Sequence, residues 1–175
     1  TLQVLNIANN PLPLSIGEVK SPLMYMGEDQ HGMMLTFCDI SSLKLDFLPP
    51  SLCNCRQLVT LKIANNMIKS LPDVIGRLRN LVTFDAHNNT ISEIPMSIDC
   101  LHKLEFLNLS VNWLVFFPVN LAKLHRVRHL DVSENRLEML PDNFNHLDHL
   151  VYFDLSSNKL VKFPNNRMDI LATLL

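Results

Sequence analysis

Residues 104–114 read LEFLNLSVNWL, and their spacing decides the architecture. Leu104, Leu107, Leu109 and Leu114 form the apolar set, and Asn112 interrupts it. Around Leu107 and Leu109 the pattern is x-L-x-L-x, the period of a short strand with one buried face. The same spacing recurs on both sides, with heads at Leu35, Leu58, Leu81, Leu104, Val127 and Leu150, each 23 residues from the last. The fourth position reads Cys38, Leu61, Phe84, Leu107, Leu130 and Phe153; the sixth reads Ile40, Ile63, Ala86, Leu109, Val132 and Leu155. The ninth is Asn66, Asn89, Asn112, Asn135 and Asn158, with Leu43 the exception. An apolar-Pro step follows at fixed offset, from Leu48-Pro49 to Phe163-Pro164.

A fixed period of this length with this spacing is a leucine-rich repeat array. The expected fold is an α/β solenoid, with parallel strands on the concave face and short helical or 3₁₀ turns on the convex face. Each unit buries its leucines only against its neighbours, so stability is a nearest-neighbour sum. The Asn column falls where the chain leaves the strand. There an amide can satisfy backbone groups that the turn leaves unpaired. After the Pro, apolar residues such as Ile75, Leu78 and Leu81 follow a roughly helical spacing, which predicts the convex turns.

Both ends depart from the period. A complete head starts at Leu2, but the next follows at Leu35, 33 residues on. Residues 18–34 therefore read as an irregular insertion, which in a repeat array becomes a loop. The unit after it lacks the Asn, so this junction is expected to be the weakest. After Phe163-Pro164 the pattern slips by one residue, Met168 fitting the core better than Arg167. We read residues 1–175 as a single repeat domain and expect it to be a piece of a longer chain.

Composition narrows the function. Hydrophobic residues make up 47% and aromatics 7%, so the core is aliphatic. A net charge of -2 gives no general attraction to nucleic acid. No apolar run is long enough to span a bilayer. The four cysteines lack paired zinc spacing, and Cys38 and Cys55 fall at core positions. We expect them to be buried thiols in a reducing compartment.

Residues 58–80, LVTLKIANNMIKSLPDVIGRLRN, carry the full repeat and resemble the 23-residue class of the Ras-suppressor-like and Scribble-like intracellular leucine-rich repeat proteins. The resemblance spans residues 35–175, with a weaker head at 1–17. It implies a signalling scaffold for protein–protein contacts, in the cytoplasm or at the inner face of the plasma membrane. It also implies a protein partner, such as a small GTPase or a signalling protein with a basic surface. Related arrays sit beside kinase, phosphatase and ubiquitin-ligase modules, so a regulatory segment of a larger enzyme is the alternative. An extracellular recognition domain is a third reading.

The register lists the concave face, which spans about 29 Å across seven strands. Outward positions are the third, fifth and seventh of each unit. The fifth column is acidic, with Asp39, Asp85, Asp131 and Asp154 against one Lys62. It either favours a basic partner or reflects a habit of this repeat. The third column brings Phe106, His129 and Tyr152 together, with Trp113 on the adjacent rim; such aromatics are good interface anchors. The candidate partner-binding residues are therefore Asp85, Phe106, Trp113, His129, Asp131, Tyr152 and Asp154. The opposite rim carries Arg56, Arg79, His102, Lys103, His125 and Arg126, suited to an acidic surface or phospholipid headgroups or simply solvated. An open strand face offers no enclosed pocket, so no catalytic role, metal or cofactor is expected.

Overall fold

The computed structural model describes residues 2–10, 34–142, 144 and 147–162. Among these residues seven three-residue strands form one sheet in chain order, every neighbouring pair parallel: β1 (Val4–Asn6), β2 (Phe37–Asp39), β3 (Thr60–Lys62), β4 (Thr83–Asp85), β5 (Phe106–Asn108), β6 (His129–Asp131) and β7 (Tyr152–Asp154). Each strand occupies the third to fifth positions of its unit, and the pairing is position for position, as in Leu61↔Phe84 and Phe84↔Leu107. The longer first step leaves this register intact, since Leu5 pairs with Cys38 like any other unit. The expected insertion, Met34 apart, and the slip after Phe163 lie outside the described residues.

On the convex side, five-residue 3₁₀ turns follow the Pro steps at Pro50–Asn54, Asp73–Arg77, Met96–Cys100 and Val119–Lys123. Each closes on an apolar residue whose N–H returns to the turn, as Leu78 does to the Ile75 carbonyl. The core lies between the strands and these turns. Cys38, Leu61, Phe84, Leu107 and Leu130 point into it from the strands, and Cys55, Leu78, Leu101 and Leu124 meet them from the turns. All four cysteines are free thiols, Cys38, Cys53 and Cys55 buried. Burial pushes the Cys38 and Cys53 thiols up to about 12, so they stay protonated and inert.

The Asn column stitches the units together. Asn112 Nδ2 donates to the carbonyls of Ala86 in the preceding unit and of Leu109 and Ser110 in its own, and its Oδ1 accepts the Ile91 N–H. Asn89, Asn135 and Asn158 repeat the arrangement. Asn66 does more, because the unit before it has Leu43 at this position. Its Oδ1 accepts both Leu43 N–H and Leu45 N–H.

The residue before the Asn position has a conformation that the spacing does not announce. Asn9, Ser42, Asn65, Asn88, Val111, Glu134 and Ser157 all have φ between 50° and 59°. This left-handed residue turns the chain from strand into Asn. It suits Asn well and is costly for the β-branched Val111. The deviant second unit needs a second such residue, Lys44 at φ 59°.

Candidate protein-binding face

The concave face is built from the first and third residues of each strand. In β2–β6 these stay partly exposed while the middle residue is buried. In the outer strands β1 and β7 the middle residue is half-buried, and Val4, Asn6 and Tyr152 are exposed. Parallel in-register pairing sets equal positions of successive units side by side. In the third column this aligns three rings. Phe106 and His129 stack with centroids 4.3 Å apart and planes 13° from parallel; His129 and Tyr152 stack at 4.1 Å and 4°. The result is one continuous ring platform across β5, β6 and β7. At the other end of the column Lys62 Nζ lies 6.0 Å from the centre of the Phe37 ring.

The fifth column has a structural job as well as a charge. Asp39, Asp85, Asp131 and Asp154 each accept, through Oδ1, the N–H two residues on. Asn6 and Asn108 do the same, which is why Asp and Asn interchange here. Lys62 cannot, and the Ala64 N–H turns instead to Ser41 Oγ of the previous unit. The carboxylates still face outward beside the rings. Tyr152 Oη donates to Asp154 Oδ2 at 3.2 Å, which holds the phenol's proton more firmly than usual. The hydroxyl and amide of Ser156 hold the Asp154 carboxyl below its ordinary range, and the Tyr152 hydroxyl adds to this.

One expectation needs correction. The seventh column does not face outward throughout: Ala64, Ser110 and Ser133 are buried, Ser41 and His87 are half-buried, and Ser156 is exposed. Ser110 and Ser133 are drawn down because their hydroxyls donate to Asn108 Oδ1 and Asp131 Oδ1, both at 2.7 Å. Trp113 is outside the ring platform. It is exposed, and the Arg136 guanidinium covers its ring at 4.7 Å. Asp85 is engaged locally too, with His87 Nδ1 at 2.8 Å from its Oδ1. Phe106, His129, Tyr152, Asp131 and Asp154 therefore form one patch, while Asp85 and Trp113 stand apart from the stack.

Burial between two rings lowers the His129 pKa, and Asp131 opposes the shift. The folded state thus resists protonating it. An imidazole with a depressed folded pKa adds no pH dependence well above 6.5. Stability then falls as pH drops from the unfolded value toward the lower folded one. We expect an NMR titration of the His129 ring to give a midpoint below 6.5, and His129→Phe to remove this part of the acid destabilisation. A midpoint at or above 6.5 contradicts it.

Comparisons with known proteins agree with this geometry. Residues 56–114 match the family model described as Leucine rich repeat, and residues 126–147 match a second of the same description. No curated protein matches the sequence. Among solved structures, a leucine-rich repeat protein of Leptospira interrogans is 29% identical with a TM-score of 0.72, over 74% of this chain and 33% of that one. The leucine-rich repeat ectodomain of the receptor kinase SOBIR1 from Arabidopsis thaliana is 26% identical with a TM-score of 0.63, over 72% of this chain and 71% of that one. An internalin of Listeria monocytogenes shares the fold at 17% identity and a TM-score of 0.59, over 80% of this chain and 45% of that one. The chain thus spans a third of the Leptospira protein's length. Its fold is that of a leucine-rich repeat solenoid, and leucine-rich repeats generally mediate protein–protein contacts. Among the described residues no helix is long and apolar enough to cross a membrane, and no group of His, Cys, Asp or Glu is arranged to hold a metal.

Proposed function

We propose that this solenoid is the recognition module of an intracellular signalling scaffold, and that it takes a partner with a basic surface on the concave face of β5–β7. The observation that carries this is the Phe106–His129–Tyr152 stack beside the Asp131 and Asp154 carboxylates. Face-to-face stacking leaves π faces open only at its two ends, on Phe106 and Tyr152, and turns apolar ring edges outward. The carboxylates beside the stack attract Lys or Arg, whose stems can lie along those edges. A small GTPase or another signalling protein with a basic patch has the matching chemistry. The cytoplasm, or the inner face of the plasma membrane, follows from the likeness to Ras-suppressor-like and Scribble-like repeats and is consistent with four unpaired thiols.

The test is to pan a displayed random-peptide library against the wild-type chain and against a variant carrying Phe106→Ala, Tyr152→Ala, Asp131→Lys and Asp154→Lys. Lys- and Arg-rich peptides should be enriched on the wild type. They should bind the variant about a hundredfold more weakly, because anchor residues dominate such interfaces. Circular dichroism checks that both chains are folded. Equal recovery on the two would remove the site. A second reading, a repeat segment attached to a kinase or placed outside the cell, is supported by the likeness to the receptor-kinase ectodomain. A kinase domain or a secretion signal encoded in the same gene would decide for it.

A further inference from the structure

We propose that a cleft on the convex side, between the Asp73–Arg77 and Met96–Cys100 turns, binds a phosphate monoester carried on a hydroxyl-bearing body. The cleft has a volume of about 430 Å³, and its lining includes Arg56, Arg77, Arg79, Asp73, Gly76 and Ser97. Arg56 and Arg79 hold the same position in successive units, so the parallel stacking sets them side by side. Among the described residues none of the three arginines forms an ion pair, and neither does Asp73. The cleft therefore concentrates three guanidiniums against one carboxylate, without internal neutralisation.

These groups are held in place. Arg77 Nη1 donates to Asn54 Oδ1 at 2.7 Å, which orients the guanidinium and leaves other N–H donors available. The Arg56 carbonyl accepts Asn80 Nδ2 at 2.9 Å. Gly76 lets the two turns approach closely, since a Cβ there would fall 2.6 Å from the Ser97 carbonyl oxygen. Ser97 lines the cleft from the second turn; among the described residues its Oγ is the one buried side-chain polar atom without a hydrogen-bond partner, and it is sealed from solvent. An oxyanion in the cleft would therefore rest on the guanidinium donors. Asp73 would repel a bare anion but can accept from a ligand hydroxyl. The volume is also generous for phosphate alone, and together these features point to a phosphorylated polyol or sugar.

The same chemistry occurs in a free polyol phosphate and in a phosphoinositide headgroup, and the experiment separates them. In one arm the ¹⁵N-labelled chain is titrated with inositol monophosphate, with inositol as control. In the other it is mixed with phosphatidylcholine vesicles holding phosphatidylinositol phosphate, with phosphatidylserine vesicles of equal charge as control. Saturable shifts of the Gly76, Arg79 and Ser97 amides are expected with inositol monophosphate. Binding should weaken at least about tenfold in Arg56→Ala/Arg79→Ala. Phe106→Ala/Tyr152→Ala should leave it unchanged, so failure here is distinguishable from failure of the concave site. Arginine-dependent binding in the soluble arm alone assigns a free ligand. Arginine-dependent binding that includes phosphoinositide vesicles assigns the headgroup. Binding in neither arm, or binding indifferent to Arg56 and Arg79, overturns the proposal.

Discussion

Asn112→Ala is expected to lower the unfolding free energy by about 3–5 kcal/mol, although Asn112 is not itself a partner-binding residue. Asn112 is 4% exposed. Its side chain satisfies three carbonyls, those of Ala86, Leu109 and Ser110, each at 3.1 Å, and one N–H, that of Ile91, at 2.9 Å. Alanine removes all four bonds at once and leaves no room for much water. Each buried backbone group left unpaired costs about 1–3 kcal/mol, and partial relaxation keeps the total below the sum. Asn112→Asp separates the donor from the acceptor role. It keeps the oxygen for Ile91 but turns a donor to three carbonyls into an acceptor facing them, so it should be at least as damaging. Urea denaturation followed by circular dichroism checks both. A loss under about 1 kcal/mol for Asn112→Ala would mean that the ladder does not hold the units together.

Much of this architecture was legible from spacing alone, because the leucines, the Asn and the Pro step are each demanded by one backbone event per unit. Strand register followed for the same reason, and with it the alignment of Phe106, His129 and Tyr152. What spacing did not show were features set by local hydrogen bonds. The left-handed residue is Asn at positions 9, 65 and 88 but Ser, Val or Glu elsewhere, so no residue type announces it. The seventh column looked outward by alternation. Ser110 and Ser133 nevertheless turn down, because a short hydroxyl reaches the neighbouring Asp or Asn more readily than it reaches solvent. Spacing set Trp113 on the rim but did not show that Arg136, one unit on, covers its ring. The arginine cleft depends on how closely Gly76 lets two turns approach, a distance that no linear pattern encodes.

Phe84→Ala should cost about 3–5 kcal/mol and, more tellingly, change how the molecule unfolds. Phe84 is fully buried and heads the largest side chains so enclosed. It lies between Leu61 and Leu107 in the sheet, at a position where its neighbours carry leucine. Removing the ring opens a cavity that the rigid strand spacing cannot collapse. In a solenoid each unit contacts only its neighbours, so a defect in β4 weakens the coupling between β1–β3 and β5–β7 rather than one shared core. We therefore expect one cooperative transition in the wild type and two in Phe84→Ala, seen as non-coincident loss of hydrogen-exchange protection at Leu61 and Leu130. Phe84→Leu, which restores the side chain of the adjacent units, should cost only about 1–2 kcal/mol and keep a single transition. The ring platform lies wholly on β5–β7, so basic-peptide binding should survive Phe84→Ala under native conditions while stability falls. A single transition, or binding lost together with protection at Leu61, would show that the array behaves as one indivisible unit.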